Sequence, residues 1–116
     1  MNLLIVEESE EMWRLIRKVI YEPSWRCHEC SDGSQALAAY ARHSPDWVLL
    51  DVDMKASDGI AIVGQICAAF PEAKIVILAS YDDADLRQAA REAGARGYVL
   101  KENLFEVRRL LQAAAE

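Results

Sequence analysis

Leu3-Leu4-Ile5-Val6-Glu7-Glu8 opens the chain with four aliphatic residues that stop on two acids. An unbroken apolar run of this length, without polar alternation, reads as a strand buried on both faces, as in parallel sheets. Two later runs repeat the pattern. Val48-Leu49-Leu50 stops on Asp51, and Tyr98-Val99-Leu100 stops on Lys101. In an open parallel sheet the strands' carboxyl ends share one edge, where ligands bind. Carboxylates at 7, 8 and 51 and an ammonium at 101 are therefore expected to meet there.

Between these runs, strand-like and helix-like segments alternate five times. Ser9 can cap a helix carrying Met12, Leu15, Ile16 and Val19 at helical spacing. Trp25 to Cys30 reads as the second strand. Asp32-Gly33 turns into a helix with Ala36, Leu37, Tyr40 and Ala41, and Ser44-Pro45 ends it because the residue before proline avoids helical geometry. Trp47 to Leu50 is the third strand. A loop over 51–57 leads through Asp58-Gly59 to a helix with Ile62, Val63 and Ile66, which Pro71 stops. Lys74 to Ala79 is the fourth strand. Asp82 is placed to cap a helix burying Leu86, Ala89, Ala90 and Ala93, with Gly94 closing it. Arg96 to Leu100 is the fifth strand. Asn103 and Glu106 resemble a capping box for a last helix packed through Leu104, Val107 and Leu111. The reading is an α/β, doubly wound, five-stranded parallel sheet with right-handed crossovers.

Bulk properties narrow the function. The 116 residues are 53% hydrophobic, which suits one globular domain with one core. No apolar stretch approaches the roughly 18 residues a membrane span needs, and no signal-peptide pattern opens the chain, so a cytoplasmic protein without membrane attachment is expected. A formal net charge of -6 argues against direct nucleic-acid binding, since phosphate backbones demand clustered Lys and Arg. The adjacent pair Arg108-Arg109 reads as a solvated helix face. Three cysteines without an export signal disfavour disulfides. Cys27 and Cys30 match a CxxC spacing, but three residues apart on a strand they point to opposite faces.

Carboxylates about 4 Å apart repel by roughly 4 kcal/mol per pair at an effective dielectric near 20. Positive charge must hold such a cluster together. Mg²⁺ is the natural partner, since it takes oxygen ligands and is held by one or two carboxylates, and Lys101 adds an ammonium. A metal, an ammonium and an aspartate together suit acceptance of a phosphoryl group. A flavin-binding electron carrier of the same topology fits poorly, because Glu7-Glu8-Ser9-Glu10-Glu11 would repel the flavin phosphate.

LLIVEE at the start, PDWVLLDVDM, the following SDG, VILASYDD and EAGARGYVLKE together resemble the receiver domain of two-component response regulators, over essentially the whole chain, residues 1–116. The resemblance implies a flavodoxin-like (βα)5 fold, like that of the chemotaxis regulators, with strand order 2-1-3-4-5. It implies a signalling domain that is not an enzyme beyond self-phosphorylation and self-dephosphorylation. By position, Asp51 would accept phosphate from a sensor histidine kinase or phosphotransfer protein. Glu7 and Glu8 would place Mg²⁺, with Glu8 a direct ligand, Asp51 sharing it and Asp53 giving its backbone carbonyl. Lys101 would bind phosphoryl oxygens, and Tyr98 falls at the aromatic switch position. The partner surface would be the face over 83–115, populated by Tyr81, Tyr98, Leu104 and several arginines, or the first helix with an exposed Trp13. No output segment follows the last helix, so the chain is expected to be a stand-alone receiver or half of a larger regulator.

The sequence departs from that pattern in three places. Both acidic positions carry Glu, whose extra methylene moves each carboxylate out by about 1.5 Å, so weaker Mg²⁺ binding is expected. Ala79 stands where the family has Thr or Ser. Ser80 is one residue along, where strand alternation turns it away unless the loop begins early. Lys55 replaces a common proline. Two readings stay open: a phosphorylated switch, or a degenerate receiver that works as a phosphorylation-independent interaction module.

Overall fold

A computed structural model describes residues 1–115. Five strands, β1 (Asn2–Val6), β2 (Arg26–Cys30), β3 (Trp47–Asp51), β4 (Ile75–Ala79) and β5 (Gly97–Leu100), form one parallel sheet in the order β2-β1-β3-β4-β5. Five helices connect and flank them: α1 (Glu10–Val19), α2 (Ala36–His43), α3 (Gly59–Ala69), α4 (Ala84–Ala93) and α5 (Leu104–Ala115).

The pleat sorts each strand's side chains between two cores. Leu4, Val6, Val48, Leu50, Ile75 and Ile77 face the layer that includes Tyr40 of α2, Ile62, Val63 and Ile66 of α3 and Ala90 of α4. Leu3, Ile5, Leu49, Val76, Leu78 and Val99 face a single layer formed by Ile16 and Ile20, in and just past α1, and by Leu104, Val107 and Leu111 of α5. Both faces are covered, which is why these strands read as continuous apolar runs. Each fully buried Leu, Ile or Val contributes about 1.5–3 kcal/mol. Cys27 packs against the α1–α5 core and Cys30 lies in the other, and all three thiols are free.

Several boundaries and faces differ from the sequence reading. Strands β2, β4 and β5 each begin one residue later than expected, while β3 runs on through Asp51. The cap of α4 is Asp83 rather than Asp82. Its carboxylate accepts the N–H groups of Asp85 and Leu86 at 2.9 and 3.1 Å, and Asp82 instead pairs with Arg87 at 2.6 Å. Residues 101–103 form a 3-10 turn ahead of α5, and Glu106 pairs with Arg109 rather than completing a capping box. Leu15 lies off the buried stripe of α1 and is exposed. Trp13 is half-buried against the α1–α5 core, because the helix rotates it onto the packed side. Leu104 is buried in that core, and Phe105 beside it is the exposed residue.

Gly94 closes α4 with φ of +116°, a left-handed conformation that suits glycine. A Cβ there would meet Cys67 Sγ at 2.7 Å.

Candidate functional site

Register places the functional side chains. Val6 pairs with Leu50 and Asp51 with Leu78, so the residues just past β1 lie beside the end of β3. Ala79 pairs with Leu100, so Lys101 emerges alongside Ser80. Residues separated by more than forty positions in the chain thus converge on one sheet edge.

Lys101 Nζ lies 2.8 Å from Asp51 Oδ1 and 3.3 Å from Asp53 Oδ2. Asp51 is 3% exposed, and its Oδ1 also accepts the Asp53 N–H at 2.8 Å. The ammonium is therefore shared between two carboxylates. Burial works against its charge, but Asp51, Asp53 and Glu7 outweigh it and hold the Lys101 pKa above its ordinary value.

Glu7 is equally buried. Its Oε1 accepts the Ser9 N–H at 3.0 Å, while Oε2 finds no hydrogen-bond donor among the described residues. Burial, and next the Asp51 carboxyl beside it, push Glu7 up to about 7, against the pull of the Ser9 N–H and Lys101. Crowding a buried carboxyl against a second one raises the cost of charging Glu7.

Glu8 turns the other way. Its Oε1 accepts the Lys55 N–H at 2.7 Å and Oε2 the Ala56 N–H at 3.4 Å, stitching the loop after β3 to the end of β1. Asp53 directs its side chain to Ser80: Oδ2 accepts the Ser80 N–H at 2.8 Å and the Ser80 hydroxyl at 2.7 Å. Partial burial tends to raise the Asp53 pKa. The two Ser80 bonds and Lys101 outweigh it and hold it below the usual carboxylate range.

Ala79 is fully buried in the core and presents no donor. Strand β4 ends there, so Ser80 already belongs to the loop and is free of strand alternation. Tyr98 is half-buried, with its hydroxyl donating to the Tyr81 carbonyl at 2.7 Å and the Arg87 guanidinium 4.4 Å from its ring centroid. The Asp53–Ser80 pair and Arg87 were not foreseen from sequence. The one signal for the pair was a serine immediately past a strand facing an acid-rich loop.

Asp51, Glu7, Asp53 and Lys101 are thus brought together, and Glu8 is held aside. Among the described residues no group of three or more His, Cys, Asp or Glu side chains surrounds a point where an ion would sit. The donor set nonetheless suits a hard cation: every candidate ligand is an oxygen, and the orphaned Oε2 of Glu7 is a buried acceptor without a partner. No helix of the described residues is long and apolar enough to cross a membrane.

Comparison with known proteins identifies the family. The family model for the response regulator receiver domain matches residues 3–115. The chain is 31% identical over 100 residues to the chemotaxis protein CheY of Halobacterium salinarum, covering 86% of this chain and 83% of that one. It is 41% identical over 73 residues to the transcriptional regulatory protein LiaR of Bacillus subtilis, covering 63% of this chain but only 35% of LiaR. A crystal structure of a LuxR-family two-component response regulator from Aurantimonas sp. superposes with a TM-score of 0.89 at 25% identity, covering 97% of this chain and 83% of that one. With an acidic pocket, a bridging lysine and a family match over nearly its whole length, this chain belongs to the response regulator receiver domain family.

Proposed function

We propose that this chain acts as one receiver unit over residues 1–116, accepting a phosphoryl group on Asp51 from a sensor histidine kinase or phosphotransfer protein. The observation that carries this is the 2.8 Å contact between Lys101 Nζ and the nearly buried Asp51 carboxylate. An Asp51 oxygen forms a P–O bond as the donor's P–N bond breaks, and the electron pair leaves on the histidine nitrogen. Lys101 is placed to neutralise the phosphoryl oxygens, and the Asp53 N–H holds Asp51 in a fixed rotamer. The domain's own chemistry goes no further than self-phosphorylation from small donors and self-dephosphorylation.

Mg²⁺ fits the same pocket. Glu7, Asp51 and the backbone of Asp53 would hold it, joined by Glu8 once that side chain leaves the Lys55 and Ala56 amides. Bound there, it supplies positive charge against the phosphoryl oxygens. Glu8→Asp gives up the reach to those amides and shortens the path to the ion. It is expected to tighten Mg²⁺ binding about tenfold, roughly 1.4 kcal/mol, in a calorimetric titration. Equal affinities would remove the claim that Glu8's length and tether weaken the site.

The signalling face is the one over 83–115, where Phe105 stands exposed, with Tyr81 exposed just ahead of it, and with an output domain or protein target as partner. A cytoplasmic setting suits exchange with a sensor histidine kinase or phosphotransfer protein, and the charge of -6 argues against direct nucleic-acid contact.

The runner-up reading is a phosphorylation-independent interaction module. It is favoured by Ala79, which offers no hydroxyl to a phosphoryl group, and by the tethered Glu8. Incubation with acetyl phosphate and Mg²⁺, followed by intact-mass measurement, separates the two. One phosphoryl increment on the wild type and none on Asp51→Asn is expected. A wild type that stays unmodified would overturn the phosphoacceptor reading in favour of the module.

A further inference from the structure

The segment 80–82 is held to the domain by three polar ties rather than by burial. Ser80 is tied to Asp53, the Tyr81 carbonyl to the Tyr98 hydroxyl, and the Asp82 carboxylate to Arg87, which also covers the Tyr98 ring. All three residues of the segment are exposed, Tyr81 to 79%. An element held by few contacts and little apolar area is one that a small change in charge can move. The first tie is also the one that reaches the pocket. Asp53 Oδ2 takes Ser80's N–H and O–H, and 3.3 Å away lies the same ammonium that pairs with Asp51. Ala79, fully buried and without a donor, provides no alternative link from the end of β4.

We propose that Asp53 is a positioning residue that couples the charge on Asp51 to the segment 80–82 through Ser80, in place of the hydroxyl that Ala79 lacks. Lys101 divides its charge between Asp51 and Asp53. Whatever strengthens its hold on the group at position 51 weakens its support of Asp53, and whatever neutralises that position sends it to Asp53. A phosphoryl group adds about two negative charges next to Asp53. It draws Lys101 away and repels the Asp53 carboxylate, so Ser80 is released, its hydroxyl becomes free to turn towards the pocket, and the Tyr81–Tyr98 tie loses its anchor. Ser80 thereby does from the loop what a strand-end hydroxyl would do.

The signalling use of this coupling rests on Asp51 being the phosphoacceptor, but its test needs no phosphoryl group. Amide hydrogen exchange over residues 80–87 is measured in the unmodified wild type, Asp51→Asn, Ser80→Ala, Ser80→Thr and the Asp51→Asn/Ser80→Ala double variant, all without divalent cations. Ser80→Ala is expected to speed exchange about tenfold, the equivalent of one lost hydrogen bond, and Ser80→Thr to restore the wild-type rate. Asp51→Asn frees Lys101 for Asp53 and is expected to slow exchange several-fold, an effect that shrinks in the double variant, where only the N–H of residue 80 still reaches Asp53. A purely structural Ser80 would leave the effects of positions 51 and 80 additive. Additivity, or equal exchange in Ser80→Ala and wild type, would overturn the proposal. An unmodified mass after acetyl phosphate treatment would instead count only against Asp51 as phosphoacceptor.

Discussion

Replacing Lys101 with Met is expected to slow phosphorylation of Asp51 by acetyl phosphate about 10²–10³-fold, the scale of removing one preorganised charge at a developing anion. Methionine keeps the length and apolar stem of lysine, so the change isolates the charge. The same substitution strands the almost fully buried Asp51 without its cation and removes a nearby positive charge from the equally buried Glu7. Removing one partner from a buried ion pair costs about 3–5 kcal/mol. The cost here is expected nearer 2–3 kcal/mol, because Glu7, already pushed up to about 7, can take up a proton in compensation. That relief disappears at higher pH, so the destabilisation grows between pH 6 and pH 8. Initial rates by intact mass and urea melts at the two pH values check both parts. A rate within about threefold of wild type would mean that Lys101 does not serve the phosphoryl group.

Glu7→Gln is expected to do the opposite to stability: to raise it in EDTA at pH 8, by about 2 kcal/mol. The sign follows from the direction of the shift. Burial and the Asp51 carboxyl push Glu7 up to about 7 in the folded state, from 4.5 in the unfolded chain, so the folded state holds its proton more tightly. Below about pH 4.5 both states are protonated and the group contributes its full stability. As pH rises through 7 the folded state must give up the proton and that stability is lost. Glutamine keeps the shape and stays neutral throughout. Wild type and variant should therefore match near pH 4 and diverge up to pH 8, with the variant on top. Added Mg²⁺ should reverse the order, because it stabilises only the protein that still has the carboxylate. Thermal melts over that pH range with and without the cation read both effects. A wild-type pH profile as flat as that of Glu7→Gln would show that Glu7 carries no such penalty.

How much of this was legible in the chain depended on burial. The runs Leu3–Val6, Val48–Leu50 and Ile75–Leu78 are covered on both faces, so their lack of alternation marked central parallel strands without ambiguity. The edge strand Arg26–Cys30 is half-polar, and only its place between two helical patterns identified it. The meeting of Asp51 with Lys101 was legible for a topological reason, since parallel strands deliver their carboxyl ends to one edge. Choices between neighbouring polar groups were not. Asp82 and Asp83 are chemically equal candidates to cap α4, and one residue of helix phase decided between them. Glu8 satisfied two loop amides that no sequence pattern advertises. Ser80 escaped the alternation that would have turned it away because β4 stops at Ala79. Side-chain destinations within loops are set by which donors the folded backbone leaves open, and that is known only after the fold is built.

All three indoles, Trp13, Trp25 and Trp47, pack against the core that α1 and α5 share. Intrinsic emission is consequently a gauge of that layer, with Trp13, one helical turn past Ser9, the indole nearest in sequence to the acidic pair. A chromophore at Val52, half-covered and adjoining the acceptor, would make events at Asp51 visible to light.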